Sequence, residues 1–460
     1  MSATATTEKK YLKWYQKLAY GSGDLASNCS YGLVSSFVLL YLTGTLGLDS
    51  AIIGSLMLAS KVLDGISDVI FGTLIDRTHS KLGKARPWML FGQVGVSLCL
   101  FLLFAIPAGS TTMQYIYFFI VYTALNAVFY TANGIAYSSL VALITKNNNE
   151  RVQLGSFRFM FAVVTNIFMG FAVTGMVEKF GSGAAGWRTT ALIFAIVGLV
   201  VNTISCLAVK ELPEEELSGN TSEAAEEGKA VAEEKKHGFA ETAKILVHNK
   251  YYLMILAIYI VYYIMSNLTT GAGVFCATYY WGDGSLLGQF SMMKMFPVII
   301  ALAIAPVLIK KTGSMQKVNF WGYAISSVLG IPMIYFAMQK NLSMFLLFMF
   351  IKGIFAGTLS GSLNALIAEA SGYTTRTTGI HMDGMMYSCS SLGVKVGGGI
   401  GTAAVGWLLK LGGFVGTATV QSESAIRMIF NLYITFPFVI GIIITCLLYT
   451  SDAADERSSV

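Results

Sequence analysis

Charge is scarce in this sequence. Only 12% of its 460 residues are Asp, Glu, Lys or Arg, against 55% hydrophobic residues and a mean hydropathy of +0.63. A soluble domain of this length needs more charge to cover its surface, so that class is excluded. Reactive chemistry is scarce too. The six cysteines, Cys29, Cys99, Cys206, Cys276, Cys389 and Cys446, stand alone in separate apolar runs with no CxxC spacing. They read as small packing residues rather than metal ligands. The four histidines include no HxxxH pair, which argues equally against a metal centre. No nucleophile–base pair or phosphate loop is present, so an enzyme is not expected and no resident cofactor is implied.

What is abundant is long apolar sequence. Twelve runs are each long enough to cross a hydrocarbon core of roughly 30 Å, which takes about 20 helical residues. They lie near 17–47, 50–75, 88–107, 113–145, 157–177, 187–209, 251–281, 285–309, 317–338, 342–370, 378–409 and 425–448. Membrane strands would be short and would alternate apolar with polar residues, which these do not. The expected fold class is therefore an all-α polytopic membrane protein with twelve transmembrane helices, in contact with membrane lipid.

The net charge of +6 does not point to a nucleic-acid partner, because the basic residues are shared out among the loops. Lys9, Lys10, Lys13 and Lys17 precede the first run; Arg77, Lys81, Lys84 and Arg86 follow the second; Lys146, Arg151 and Arg158 follow the fourth. Connections of the opposite parity hold few, such as Lys179 and Arg188 in the fifth and Lys340 in the ninth. Positive charge marks the cytoplasmic side, so both termini are expected in the cytoplasm, with the protein in the cell inner (plasma) membrane. The polar, charged start gives no expectation of a cleavable signal peptide.

One polar stretch, about 210–250, interrupts the runs with EEEL, EAAEEGK and AEEKK, and reads as a solvated cytoplasmic linker. It separates a first six-helix bundle, 1–209, from a second, 251–448. The halves share a weak repeat. The second run ends in a basic turn with Gly83 and Lys84, and the eighth ends in IKKTGSMQK, 309–317. Such repeats mark secondary transporters, whose site lies at the midplane between repeats. CLLYTSDAADE, 446–456, resembles a translated sequencing adapter, so the tail 446–460 is read as non-native.

The second run, KVLDGISDVIFGTLIDRTHSKLGKARP over 61–87, carries Asp64 and Asp68. With a helix end near Ile75, Asp68 lies roughly 10 Å and Asp64 roughly 16 Å from that end. Four residues apart, the two carboxylates share a face. Ionised together in a low dielectric they repel, and each is costly to desolvate unless a proton or a cation joins them. An ion-coupling site has that property. The competing reading is local pairing, since Lys61 precedes Asp64 by three residues; it is too far along the chain to serve Asp68 as well. Lys395 sits near the middle of its own apolar run, where an ammonium needs a partner. Lys294 and Lys352 are similarly placed and read as structural. Tyr279, Tyr280 and Trp281 read as an interfacial aromatic belt.

LDGISDVIFGTLIDRTHSKLGKARPW resembles the signature of the glycoside–pentoside–hexuronide:cation symporters, the melibiose permease-like family of the major facilitator fold. Asp64, Asp68, Gly72, Gly83, Lys84, Arg86, Pro87 and Trp88 occupy the signature positions. The similarity continues in LAYGSGDLASN (18–28), YTANGIAYSSL (130–140), ERVQLGSFR (150–158) and GIHMDGMMYSCSSLGVKVGGG (379–399), covering essentially the whole chain in order. The resemblance implies two six-helix bundles and a cation-coupled sugar symporter, with a small sugar or glycoside as partner. It implies Asp64, Asp68 and Thr131 as cation ligands and Lys395 as the charge balancing the acids. Retention of both acids and the hydroxyl favours sodium over a proton as the co-transported ion. Relatives have acidic sugar ligands where this chain has Asn28 and Gly134, and an indole where it has Ser138. Asn28, Asn133, Tyr137 and Asn267 are the remaining candidates for hydrogen-bonding a sugar, and which sugar stays open. Arg158, His381 and Asp383 are gate candidates, the last two standing where relatives carry Arg and Glu. The alternatives are another small-molecule or lysophospholipid transporter of this fold, and a transport-inactive sugar sensor.

Overall fold

Each apolar run corresponds to a helix in the computed structural model, which describes residues 9–213, 249–378, 383–418 and 420–458, with side chains outside the description at 372–389 and from 451 onward. The helices are α1 Trp14–Thr45, α2 Ser50–Asp76, α3 Arg86–Leu103, α4 Thr111–Ile144, α5 Asn148–Lys179 and α6 Gly183–Leu207. The second set is α7 Lys250–Trp281, α8 Leu286–Thr312, α9 Met315–Met338, α10 Leu342–Thr378, α11 Asp383–Leu411 and α12 Glu423–Thr450. Eleven are long and apolar enough to cross a membrane by hydropathy, and α2, at 27 residues, has the length to do so. Among the described residues there is no strand. Residues 214–248 of the expected linker, and His381, lie outside the described residues.

Local chemistry sets the helix ends. Ser110, Asn147, Asn249, Ser314 and Ser422 each accept a hydrogen bond from a first-turn amide, satisfying donors that a helix start leaves orphaned. Gly313 ends α8 in the left-handed region at φ +70°, which a glycine adopts without strain.

The described chain divides into two compact units. One comprises Met1–Leu48 and Ala59–Asn220, the other Asp49–Leu58 and Thr221–Val460. Within the first, α1 packs on α5 and α6, and α3 packs on α4 and α6. Within the second, α7 packs on α11 and α12, and α9 packs on α10 and α12. Adding six to each helix number of the first set yields the second. The first helix of each unit also closes on a π-helical turn, Tyr41–Thr45 in α1 and Cys276–Trp281 in α7.

Lipid is as apolar as a leucine side chain, so helices here associate through close van der Waals packing at small residues. In the second unit a Cβ on Gly401 would lie 2.6 Å from the Ile264 carbonyl oxygen, and a Cβ on Gly397 would overlap that of Ile260. These glycines let α11 lie directly on the backbone of α7. Gly353 and Gly357 do the same for α10 on α8, against Pro297 and Ala301.

The stretch 210–213 is not a solvated linker start. Glu211 accepts hydrogen bonds from the amides of Lys84, Ala85 and Arg86 at 2.7, 2.9 and 3.0 Å, and the Leu212 amide donates to the Leu143 carbonyl at 2.8 Å. A carboxylate is favoured at the positive end of a helix, and here it caps α3. The basic signature turn therefore serves as a docking cradle.

Candidate cation and substrate site

Helix α2 has two unlike faces. Val62, Ile66 and Val69 are exposed at 61%, 59% and 73%, whereas Asp64 is buried at 8%. Asp64 Oδ1 lies 2.6 Å from the Thr131 hydroxyl oxygen, which is also 2.9 Å from the Asn126 carbonyl. The backbone of α4 sets this contact. Ala124–Tyr130 forms a π-helical turn, and the Thr131 amide reaches back five residues to Asn126. A π turn inserts one residue into the helical phase and so re-aims the side chains that follow it. Thr131 is the first residue after that turn.

The local pairing that sequence spacing allows is present as well. Lys61 Nζ lies 3.5 Å from Asp64 Oδ2, so the two carboxylate oxygens face different partners. The same ammonium sits 5.7 Å above the Tyr31 ring, and Tyr31 stacks on Tyr130 at 5.4 Å. Asp68 is half-buried one turn further along α2. The corner thus holds one buried carboxylate, a second four residues on, a hydroxyl and a cation on a flexible stem. It can hold a small cation while Lys61 moderates the net charge.

A second polar cluster in the same unit was not anticipated as a cluster. Arg158 Nε donates to Asp24 Oδ2 at 2.6 Å, and its guanidinium lies 4.2 Å from the Tyr137 ring centroid. The Tyr137 hydroxyl donates to the Tyr20 carbonyl at 2.8 Å and lies 3.4 Å from Asp24 Oδ2. Arg158 and Tyr137, named from sequence for separate roles, are brought together, and Asp24 joins them. The signal was available, because Asp24 is an acid inside an apolar run, as Asp64 is.

Asn28 donates to the Asp24 carbonyl at 2.7 Å and accepts from Asn166 Nδ2 at 3.0 Å, one turn from that cluster. Asn133 is turned elsewhere. It is buried at 3% and donates to Gln93 Oε1 at 2.6 Å, a contact of α3 with α4. In the second unit, Asn267 donates to the Tyr263 carbonyl at 3.0 Å, and Lys395 is half-buried on α11. Asp383 begins α11, with its side chain outside the description. Among the described residues no group of three or more His, Cys, Asp or Glu side chains could hold a metal ion.

The helices of membrane-spanning length, together with a family match, define a multi-pass membrane transporter of the major facilitator type. The chain matches the family described as MFS/sugar transport protein over residues 19–452, and it belongs to that family. It is 26% identical over 435 residues to the isoprimeverose transporter of Lactiplantibacillus pentosus, covering 94% of this chain and 87% of that protein. It is 24% identical over 449 residues to a putative glycoside/cation symporter of Escherichia coli (strain K12), covering 96% and 93%. The fold is also similar to the crystal structure of a D-xylose-proton symporter, with a TM-score of 0.65 at 12% identity over 96% of this chain and 98% of that one. The chain is thus a sugar transport protein of the major facilitator type, similar in sequence to glycoside/cation symporters.

Proposed function

We propose that this protein couples import of a glycoside, pentoside or hexuronide to entry of sodium, by alternating access, in the cell inner membrane with both termini cytoplasmic. The observation that carries the reading is the buried Asp64 carboxylate 2.6 Å from the Thr131 hydroxyl, with Asp68 one helical turn away. Neutral oxygen from a hydroxyl adds to a metal-cation shell but contributes little to holding a proton, which favours sodium. Lys61 keeps the ion-free corner tolerable in the low dielectric, so the cation enters a site that is not strongly anionic. Lys395 is assigned as the further balancing charge. Binding of the ion favours sugar binding, and linkage requires the converse to the same degree.

A sugar panel offered to vesicles under an imposed sodium or proton gradient tests this. Accumulation driven by sodium, lost in Asp64→Cys and Asp68→Cys while the protein remains in the membrane, is the expected result. Accumulation driven by protons alone would overturn the ion assignment. Absence of counterflow for every sugar in the panel would favour the sensor reading.

A further inference from the structure

The second unit contains a partly open cavity of about 180 Å³ that none of the assigned residues line. Its wall includes two lysines, Lys294 of α8 and Lys352 of α10, together with Ser266, Thr269, Ser326 and Tyr323. Both helices start from the same face of the membrane, because two spans separate their starts. Lys294 lies 8 residues into α8 and Lys352 lies 10 residues into α10. At 1.5 Å per residue, both ammonium stems leave the backbone about 12–15 Å from those starts, near the middle of a roughly 30 Å core. The two stems are neighbours laterally as well. Gly353, next to Lys352, lies so close to α8 that a Cβ there would be 2.8 Å from the Pro297 ring and 3.6 Å from the Met293 carbonyl.

Two ammonium groups at one depth in one cavity repel each other and are costly to desolvate unless an anion joins them. Among the described residues no anion is supplied. No Asp or Glu lines the cavity among the described residues. Across 250–371 the acids are Asp283 and Glu369, 11 residues from Lys294 and 17 from Lys352 along the chain, and neither lines the cavity. Lys294 Nζ donates to the Thr269 hydroxyl at 3.2 Å, which uses one of its three donors. Among the described residues Lys352 has no hydrogen-bond or ion-pair partner. Intramembrane cations of this kind mark a substrate path.

We infer that this cavity is an anion subsite, in which Lys294 and Lys352 together hold the carboxylate of a sugar acid while the lining hydroxyls take its ring hydroxyls. The inference rests on the symporter reading above and narrows its substrate to the carboxylate-bearing members. Two cationic donors on one carboxylate form charge-assisted hydrogen bonds, and a buried ammonium loses that partner when the carboxyl is masked. An uncharged sugar is therefore discriminated against even where its ring fits.

The test compares glucuronate with its methyl ester, and galacturonate with galactose, as stabilisers of the purified protein against heat and as solutes for vesicle uptake. Glucuronate is expected to bind at least about tenfold more tightly than its ester. Lys352→Gln and Lys294→Gln should each remove that preference, and Lys352→Arg should retain part of it. Equal binding of acid and ester, stabilisation by inorganic phosphate to the same extent as by glucuronate, or a preference unaltered in folded Gln variants would overturn the inference. Neutral-sugar uptake with no uronate binding overturns it and leaves the symporter reading standing. Uronate binding without any gradient-driven uptake does the reverse.

Discussion

Thr131 of α4 and Asp64 of α2 are 67 positions apart in sequence, yet their side-chain oxygens are 2.6 Å apart in a buried corner of the first unit. The carboxylate is held at Oδ1 by a neutral hydroxyl and at Oδ2 by the Lys61 ammonium, 3.5 Å away. Thr131→Val keeps the shape of the side chain and deletes its oxygen. The sodium concentration giving half-maximal uptake should rise about tenfold, the worth of one interaction with a charged group. Thr131→Ser should stay within a few-fold of the parent. Uptake in sodium titrations is the measurement, and an unaltered response in the Val variant would remove Thr131 from the ion site.

The pair formed by Arg158 and Asp24 makes a different prediction. Arg158 interacts with both the Asp24 carboxylate and the Tyr137 face, so replacement by Lys keeps the charge and loses the planar fork and the ring contact. Removing either charged partner leaves the other half-buried and uncompensated. Asp24→Asn and Arg158→Gln should each lower stability by about 1–3 kcal/mol, and the double variant should lose less than the two combined. A thermal-unfolding double-mutant cycle in detergent measures this. Additive losses would mean that the ion pair contributes nothing of its own.

These two sites show how far the chain could be read before folding. Asp64, Asp68 and the lysines stand out because charge inside an apolar run is rare, and helix number follows from run length alone. The family motif supplied Thr131 and Arg158. Partners set by tertiary geometry were not legible. The π turn at Ala124–Tyr130 that aims Thr131 leaves no periodic signature, and nothing local couples Arg158 to Asp24 across 134 positions. Asn133 shows a second kind of partner that sequence does not reveal. A polar residue in a span suggests a substrate ligand, but its amide is used within the bundle by Gln93. The polar stretch after α6 hides a structural residue, because composition averages Glu211 with the acids that follow it.

Glu211 gathers three consecutive amides at the start of α3, and Gly83 lies directly beneath it at φ +110°. Glu211→Gln retains an acceptor but loses the charge that favours a helix N-terminus, and should cost about 1 kcal/mol. Gly83→Ala meets two obstacles, a left-handed backbone and overlap with the Glu211 carboxyl, and should cost more. If thermal shift ranks Glu211→Gln as the more damaging of the two, the cradle is held by something other than this cap.

Acid tests one surface contact in the second unit. Asp49 caps the start of α2 through the amides of Ala51 and Ile52 and lies 2.6 Å from Lys410 Nζ. Partial burial works to raise its carboxyl, but the Lys410 hydrogen bond and the two amides outweigh it, so the group titrates below the usual Asp value. A carboxyl depressed in the folded state binds its proton more readily once unfolded. Its contribution is therefore complete above the ordinary Asp pKa of about 4 and disappears as pH falls through the lower, folded value. Because Asp49 is 25% and Lys410 58% exposed, solvent screens the pair and the effect should be about 1 kcal/mol or less. Asn caps a helix about as well as Asp, so Asp49→Asn removes the charge while preserving the cap. Unfolding temperature followed from pH 6 to pH 3 should fall less steeply in that variant than in the parent. Parallel acid limbs would place the linked protons on other carboxylates and leave the Lys410 contact without thermodynamic weight.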